Sequence, residues 1–484
     1  MQLSDPQLYR QQAYVNGEWT DAGVQAVLTV HNPATGEHLG TVPNFGRAET
    51  ADAIEAAEAA FPAWKAKTGK ERGLILRRWY ELVMAHIDDL AMIITLENGK
   101  PLAEARAEVL YAVSFLDWFA EEARRQYGDV IPQTKGDQRL FAIRQPVGVC
   151  GAIIAWNFPC TLVTRKVAPA LAAGCTVVLR PADQTPLSAL ALAELGERAG
   201  IPAGVFNVIT GDAPPIGEEL CANSSVRKIT FTGSTAVGRL LMRQSSPTVK
   251  RLSLELGGNA PFIVFDDADL DKAVEGLMVS KFRNAGQTCV CANRVFVHDS
   301  IYEEFARQVS VKVSELKVGN GLEENVLVGP MIDDKGIQKV SGLVEDALGK
   351  GARLMTGGKR HALGGGYYEP TVLADVGQDM AVVQEEIFGP VVTLFRFKSE
   401  HEVIAQANSV ETGLAGYFFS RDVARVWRIA EALEVGIVGV NTGMFSNEVG
   451  PFGGVKQSGF GREGSRYGLD DFSDLKYICL GDVE

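Results

Sequence analysis

The chain has 484 residues, more than one hydrophobic core normally supports, so we expect roughly two or three domains. Its hydrophobic content of 46% and charged content of 22% are typical of a globular protein in water. The formal charge of −13 argues against nucleic acid and against an anionic membrane surface as partners.

The rarer residue types predict a reducing environment and no metal. The seven cysteines are odd in number and irregularly spaced, which favours free thiols and a cytoplasmic protein. The six histidines are scattered singly, so we predict no metal site. The first ten residues lack the apolar core of a signal peptide.

Taken in chain order, the apolar pattern predicts an α/β protein. Residues 14–44 indicate short strands with turns, and residues 48–125 indicate helices, because apolar side chains recur there at three- and four-residue spacing. Between residues 148 and 243, short apolar strands alternate with helices. Such alternation favours a parallel sheet covered on both faces, which is a doubly wound, Rossmann-like fold.

After Glu255 the alternation begins again, with a strand at 261–265 and a helix at 270–282, and this predicts a second α/β domain. Two strand-like segments, 131–144 and 475–480, belong to neither alternation. Because edge strands need a partner, we expect these two to pair with each other or with another subunit.

These patterns divide the chain into three parts. We predict a cofactor-binding domain, a catalytic domain, and a small β element that bridges or oligomerises. Their respective ranges are 1–125 with 145–254, then 255–445, then 126–144 with 446–484.

The stretch from Lys281 to Asn293 contains the candidate nucleophile. Cys289 follows Gly286 in a run of small and polar residues, whereas a cysteine kept for packing normally sits among aliphatic side chains. We therefore interpret Cys289 as a nucleophile. Arg283, earlier in the same run, is placed to hold an anion near the thiol.

A cysteine nucleophile needs a base and an oxyanion donor. Glu255, which precedes Leu256-Gly-Gly258, is a candidate base, although by itself a solvated carboxylate at a strand end is the more common interpretation. Asn157, before Phe158-Pro159, is either a turn asparagine or an oxyanion donor. The strand, glycine turn and helix start at 229–238 match a pyrophosphate site only weakly, because a full GxGxxG is absent.

Together, however, the motifs are specific. They occur in this order: Trp156-Asn-Phe-Pro159, Phe231-Thr-Gly-Ser-Thr235, Glu255-Leu-Gly-Gly258, Gly286-Gln-Thr-Cys289, Glu385-Glu-Ile-Phe-Gly-Pro390 and Pro451-Phe-Gly-Gly454. The set resembles the aldehyde dehydrogenase superfamily from about Arg10 to Leu480. Four further features look like its succinate-semialdehyde dehydrogenase branch, which includes glutarate-semialdehyde enzymes: Thr164-Arg-Lys166, Lys281-Phe-Arg-Asn284, Cys289-Val-Cys291 and Ser446.

The resemblance implies NAD(P)-dependent oxidation of a short ω-semialdehyde acid. Succinate semialdehyde is the first expectation and glutarate semialdehyde the second, with a broad or aromatic aldehyde dehydrogenase as the alternative. It implies that Cys289 attacks the aldehyde, that Asn157 and the Cys289 backbone N–H hold the oxyanion, and that Glu255 activates the hydrolytic water. The implied cofactor contacts are Trp156, Arg180, Asp183, Gly233, Ser234, Leu256, Glu386 and Phe388.

For the far end of the substrate, the resemblance implies a carboxylate clamp made by Arg165, Arg283 and Ser446. Arginine suits this role because its planar fork matches a carboxylate. Considered alone, Arg165 would more commonly be a surface charge on a helix. Cys160 and Phe445, which flank the expected pocket, leave the preferred chain length open.

Three further expectations concern the cofactor, the second thiol and the assembly. A carboxylate at Asp183 would accept hydrogen bonds from a ribose 2′-hydroxyl and repel a 2′-phosphate, so we predict NAD over NADP. Cys291 is either a small apolar spacer or the partner of a reversible Cys289–Cys291 disulfide. The resemblance implies a homodimer or homotetramer.

Two other classes of protein are considered as alternatives. A protein that keeps the fold without catalysis is disfavoured because Cys289, Glu255 and Asn157 are all present. A cofactor-free thiol esterase is disfavoured by the strand–glycine–helix segment at 232–238.

Overall fold

A computed structural model describes residues 3–21, 23 and 26–483, and within these it contains helices, strands and short 3-10 turns. The helices are α1 Arg47–Ala66, α2 Gly69–Ala85, α3 Ile87–Asn98, α4 Leu102–Glu122, α5 Pro159–Ala173, α6 Pro186–Arg198, α7 Ala213–Ala222, α8 Thr235–Ser245, α9 Leu270–Phe282, α10 Tyr302–Ser314, α11 Asp334–Gly349, α12 Glu400–Asn408 and α13 Val423–Ala432. The strands are β1 Ala13–Val15, β2 Glu18–Thr20, β3 Val27–His31, β4 His38–Pro43, β5 Asp129–Ile131, β6 Arg139–Pro146, β7 Val149–Ile153, β8 Thr176–Arg180, β9 Phe206–Val208, β10 Val226–Thr232, β11 Arg251–Glu255, β12 Ala260–Val264, β13 Ala292–His298, β14 Arg353–Thr356, β15 Thr371–Ala374, β16 Val391–Phe397, β17 Thr412–Gly413, β18 Ala415–Phe419, β19 Ile437–Val440, β20 Val455–Lys456, β21 Gly459–Phe460 and β22 Ser473–Leu480.

The first sheet has the strand order β2-β1-β9-β8-β7-β10-β11-β21, and its five central strands are parallel. Its central strand β7 is buried on both faces. Cys150 and Ala152 pack into a core with helices α2–α6, whereas Val149 and Ile153 pack into a core with α1 and α7. This two-faced burial explains why β7 is apolar throughout, and it confirms the predicted doubly wound sheet.

The second sheet has the order β14-β15-β16-β13-β12-β18-β19, and only β14 runs antiparallel to its neighbour. Strand β12 repeats the pattern of β7. Phe262 and Val264 face one core, and Ile263 faces the other. The second α/β unit predicted after Glu255 is therefore present, while the exact domain boundaries stay a prediction.

The third sheet, β22-β6-β5, joins the two segments that matched neither alternation. Strand β22 pairs antiparallel with β6 from Ser473 opposite Pro146 to Leu480 opposite Arg139, so the predicted pairing is confirmed. The prediction of one continuous strand over 131–144 is wrong. The chain turns between β5 and β6, because Gly136 and the polar residues beside it favour a turn over a strand, and β5 folds back onto β6.

In the described part of the chain, no helix combines the length and apolar character needed to cross a bilayer.

Candidate active site

The candidate residues of the first sheet lie together because they follow neighbouring parallel strands. Strand β10 pairs with β7 on one side and with β11 on the other. Asn157 follows β7, Gly233 and Ser234 follow β10, and Glu255 ends β11. Carboxyl ends of parallel strands share one edge of a sheet, which is where α/β proteins bind ligands.

Cys289 comes from the second unit, in the loop between α9 and β13. The loop starts with a 3-10 turn in which Asn284 and Ala285 have φ values of 52° and 54°. Gly258 allows the loop to approach the first sheet, since a Cβ on it would lie 2.3 Å from the Cys289 carbonyl oxygen. Any side chain at residue 258 would therefore displace the backbone of Cys289.

Asn157 is buried beside that loop. Its Nδ2 donates to the carbonyl oxygen of Gln287 at 3.1 Å, and its own carbonyl oxygen accepts from Asn284 Nδ2 at 3.0 Å. Its Oδ1 is buried without a partner among the described residues. Because one amide hydrogen is used by Gln287, the other remains for a substrate oxygen, as an oxyanion donor requires.

The Cys289 side chain is half-buried, and its charge state is controlled by its neighbours. Burial raises the pKa of the Cys289 thiol to about 12, and the Glu386 and Glu255 carboxylates add to this, while Arg165 and Arg283 act in the opposite direction. At neutral pH the thiol is therefore protonated, and a proton acceptor is needed before it can attack.

Glu255, the candidate base for the hydrolytic water, is also buried. Burial, together with the nearby Glu463 carboxylate, raises the pKa of Glu255 well above its usual range. Its Oε2 is buried without a partner in the described structure. Burial also opposes ionisation of Glu463, but Lys166 and Arg165 outweigh it and lower the pKa of Glu463. A raised pKa makes the ionised carboxylate a stronger base, and its free oxygen is able to accept a proton from water.

The raised thiol pKa predicts how Cys289 responds to pH. Alkylation by iodoacetamide requires the thiolate, so the inactivation rate of the cofactor-free protein should rise about tenfold per pH unit from pH 6 to pH 9. The rate is measured by residual activity and by mass of the labelled peptide, with Cys289→Ala as the unlabelled control. A plateau below pH 8 would contradict a raised pKa.

A cavity of about 590 Å³ lies beside the loop and carries two of the predicted clamp residues, Arg283 and Ser446. Its other walls are largely apolar, including Phe158, whose ring lies 5.1 Å from the Arg283 guanidinium carbon. In the described residues no carboxylate forms an ion pair with Arg283. Glu104 lies in the same wall and interacts electrostatically with Arg283, but no close ion pair in the described part of the chain engages the guanidinium, so it is able to bind an anion.

Arg165, the third predicted clamp residue, has a different setting. It is buried on α5, its Nε bonds the Glu463 carboxylate, and its guanidinium carbon lies 4.1 Å from the Phe452 ring centre. Arg165 is therefore not a surface charge. Because Glu463 already neutralises it, Arg283 is the better placed of the two arginines to hold a substrate carboxylate.

The predicted cofactor residues fall into two groups, and the first lies at the end of β8. Arg180 donates to the carbonyl oxygen of Gly211 from Nε at 3.2 Å and from Nη2 at 2.9 Å. It also forms an ion pair with Asp183. Burial raises the pKa of Asp183, although Arg180 opposes this shift. A carboxylate and a guanidinium therefore lie together at the end of β8, and their contact with an adenosine ribose stays a prediction.

Near the loop, Trp156 and Phe388 contact each other edge to face, with ring centres 5.7 Å apart. Glu386 accepts a hydrogen bond from the Gly258 backbone at 3.1 Å, and burial raises its pKa to about 7. Leu256 is buried, and its side chain lies within 2.6 Å of where a Cβ on Gly238 would stand. The segment after β11 that contains Leu256 is thus in close contact with α8.

Ser234 is the N-cap of α8 and accepts from the Val237 N–H at 3.4 Å. The helix start is able to hold a phosphate, and a Cβ on Gly233 before it would lie 2.4 Å from the Phe231 ring. With the aromatic pair, the carboxylate of Glu386 and the Arg180–Asp183 pair, these residues fit a nicotinamide dinucleotide extended along the sheet edge.

Cys291 is buried, and its Sγ donates to the carbonyl oxygen of Lys281 at 3.5 Å. A Cys289–Cys291 disulfide stays a prediction.

Sequence reasoning missed the acidic and basic groups behind the site. Glu463 contacts both Arg165 and Lys166, and Lys100 with Glu108 lies against the Asn157 backbone. The one signal for Glu463 was a lone carboxylate in the glycine-rich segment 453–464, and no signal marked Lys100 or Glu108 among the other charges of the helical region.

The chain is similar to known proteins over nearly its whole length. The model of the aldehyde dehydrogenase family matches residues 19–478. The chain is 60% identical to the succinate-semialdehyde dehydrogenase [NADP(+)] GabD of Escherichia coli, over 99% of this chain and 100% of that protein. It is also 60% identical to a glutarate-semialdehyde dehydrogenase of Pseudomonas putida, with the same coverage. A crystal structure of succinate-semialdehyde dehydrogenase from Burkholderia pseudomallei superimposes with a TM-score of 0.99 at 60% identity, covering 99% of this chain and 100% of the other.

Proposed function

The chain belongs to the aldehyde dehydrogenase family, and we propose that its substrate is a short aldehyde with a carboxylate at the far end, succinate semialdehyde before glutarate semialdehyde. The enzyme oxidises an aldehyde with NAD or NADP through a cysteine nucleophile. The observation that supports the substrate is the Arg283 guanidinium, which faces the cavity beside Ser446 and has no ion-pair partner in the described structure. An uncharged or aromatic aldehyde would leave that charge uncompensated in a largely apolar wall.

The proposed reaction uses the site residues in sequence. Cys289 loses its proton to solvent, and the thiolate forms a bond to the aldehyde carbon. The carbonyl oxygen becomes an oxyanion, which takes hydrogen bonds from Asn157 Nδ2 and the Cys289 backbone N–H.

When bound, the nicotinamide would supply the acceptor for the hydride that leaves this carbon, and the carbon remains attached to Cys289 as a thioester. Glu255 then removes a proton from a water molecule, which attacks the thioester carbon. The bond to sulfur breaks, the thiol is restored and the free acid leaves. In this proposal Phe388 would lie beside the nicotinamide, Glu386 would bind a ribose and Trp156 would lie near the pyrophosphate.

The experiment that tests the substrate assignment is a comparison of kcat/KM for four aldehydes: succinate semialdehyde, glutarate semialdehyde, butanal and benzaldehyde. The reaction is followed by the absorbance of the reduced cofactor, with Cys289→Ala as the blank. We expect the two semialdehyde acids to exceed butanal by on the order of 10²-fold. Equal values for butanal and succinate semialdehyde would contradict the proposal.

For the cofactor, we propose NAD over NADP, because the Asp183 carboxylate repels a 2′-phosphate. The ion pair with Arg180 reduces that repulsion, so a modest preference is expected. Asp183→Ala should shift the ratio of kcat/KM values toward NADP by about tenfold, since it removes one like charge worth about 1.4 kcal/mol. A wild-type preference for NADP that Asp183→Ala leaves unchanged would contradict this role.

The assembly is also proposed. The sheet β22-β6-β5 exposes apolar side chains, among them Val130 at 81%, Leu475 at 63% and Tyr477 at 60%. Such a surface is typical of an interface, so it supports a homodimer or homotetramer. Light scattering measures the assembly, and a monomer at micromolar concentration would contradict it.

A further inference from the structure

A buried ion pair lies behind the oxyanion donor, outside the set of residues assigned to the reaction. Lys100 and Glu108 stand at the N-terminal end of α4, and the distance from Lys100 Nζ to Glu108 Oε2 is 2.5 Å. Each side chain is only 1% exposed. Charges so deeply buried are retained at a desolvation cost, and a buried pair adds little net stability over an apolar packing.

The pair holds the main chain at Asn157 and at the start of α5 just after it. Lys100 Nζ donates to the Asn157 carbonyl oxygen at 2.7 Å. Glu108 Oε1 accepts from the backbone N–H groups of Cys160 at 3.0 Å and Thr161 at 3.3 Å. These N–H groups belong to the first turn of α5, where a helix has no internal acceptors, so the carboxylate also satisfies the helix start.

The same end of α4 reaches the loop of the nucleophile. Glu104, one helical turn before Glu108, accepts from the Asn284 N–H at 2.8 Å. Asn284 in turn donates from Nδ2 to the Asn157 carbonyl oxygen. The Asn157 carbonyl oxygen therefore accepts two hydrogen bonds. One comes from Lys100 in the helical layer, and the other comes from Asn284 in the loop that carries Cys289.

We propose that Lys100 and Glu108 are positioning residues that set the distance between the Asn157 amide and the Cys289 sulfur. The inference rests on the proposed role of Asn157 as oxyanion donor. A shift of the Asn157 backbone by a fraction of an ångström moves its side-chain N–H away from the oxyanion, and such donors act mainly in the transition state. Loss of the pair should therefore lower kcat and leave KM nearly unchanged.

The test is a double-mutant cycle on the full-length enzyme. Lys100→Met and Glu108→Gln are combined, so that neither charge is left buried without its partner. This variant should lower kcat between about tenfold and 10²-fold, a part of the 10²–10³-fold that one oxyanion donor supplies. In an Asn157→Ala background the same two changes should lower kcat less than twofold, because there is no amide left to position.

A matched control removes a different ion pair, Arg10 with Glu194, whose Nη2–Oε2 distance is 2.7 Å. Arg10→Met with Glu194→Gln should leave kcat unchanged. If the combined Lys100 and Glu108 variant does not fold, Glu108→Gln alone replaces it in the same cycle. Glutamine keeps an acceptor for the N–H groups of α5 but removes the negative charge, and we expect kcat to fall by about threefold or more.

The possible outcomes separate the positioning role of Lys100 and Glu108 from the role of Asn157. An equal loss of kcat in both backgrounds would overturn the positioning role, and so would a loss confined to KM for the semialdehyde, which would make Lys100 a substrate-binding residue. If Asn157→Ala itself left kcat unchanged, the proposed oxyanion donor would be wrong and the positioning role would fail with it. If Asn157→Ala lowered kcat but the ion-pair variant did not, only the positioning role would fail.

Discussion

Replacing Glu255 with glutamine is expected to give an enzyme that forms about one reduced cofactor per active site and then nearly stops. Glutamine keeps the shape of the side chain, but its amide cannot take a proton from water. Hydride transfer precedes hydrolysis, so the thioester on Cys289 accumulates. General-base catalysis contributes about 10²–10⁴-fold, and we therefore expect steady-state kcat to fall on the order of 10³-fold. Rapid mixing separates the burst from the steady state.

The control for this variant is Glu275→Gln, an exposed residue on α9 that should turn over like the wild type. A kcat within threefold of the wild type would exclude Glu255 as the base. Loss of both the burst and the turnover would show instead that Glu255 acts before hydride transfer, by taking the Cys289 proton.

Replacing Arg283 with alanine is expected to raise KM for succinate semialdehyde on the order of 10²-fold. The Arg283 guanidinium lies in the cavity wall and forms no close ion pair among the described residues, although Glu104 lies in the same wall, so we expect a substrate carboxylate to pair with it. Charge-assisted hydrogen bonds from one arginine are worth about 3 kcal/mol, which corresponds to this factor. Steady-state kinetics with the natural and the mutated enzyme measures the change.

Butanal provides the matched control for Arg283→Ala, because it has the same carbon number as succinate semialdehyde and lacks the carboxylate. Its KM should change less than about threefold, since no charge is involved. Equal losses for the two aldehydes would mean that Arg283 supports the loop rather than the substrate. Arg165→Ala should harm both aldehydes, because it leaves Glu463 without one of its two cations.

Much of the fold was predictable because its strands are buried on both faces. A strand such as β7 must be apolar at every position, and this continuous pattern is visible without a structure. The short strand β5 was not separated from β6, because β5 is exposed, β6 is mostly half-buried and neither carries a clear alternation. Exposed strands follow weaker rules than buried ones.

The candidate site was predictable only in part. Its reacting residues stand in short sequence motifs, whereas the charged residues that support them are brought together by tertiary packing. Cys289, Asn157 and Glu255 stand in short motifs whose residues are local in sequence. The Arg165–Glu463 contact joins residues 298 positions apart, and nothing local marks either one as the partner of the other. The contact of Lys100 with Asn157 spans 57 positions and depends on how the helical layer docks on the sheet. Long-range pairs of this kind follow from tertiary packing.

The most direct test of the mechanism is the mass of the Glu255→Gln enzyme after it is mixed with cofactor and succinate semialdehyde. Digestion and mass spectrometry locate any adduct, and Cys289→Ala combined with Glu255→Gln is the blank. We predict one succinyl group on the peptide that contains Cys289, in an amount equal to the reduced cofactor formed, and none in the blank. Reduced cofactor without an adduct, or an adduct on another residue, would contradict covalent catalysis by Cys289.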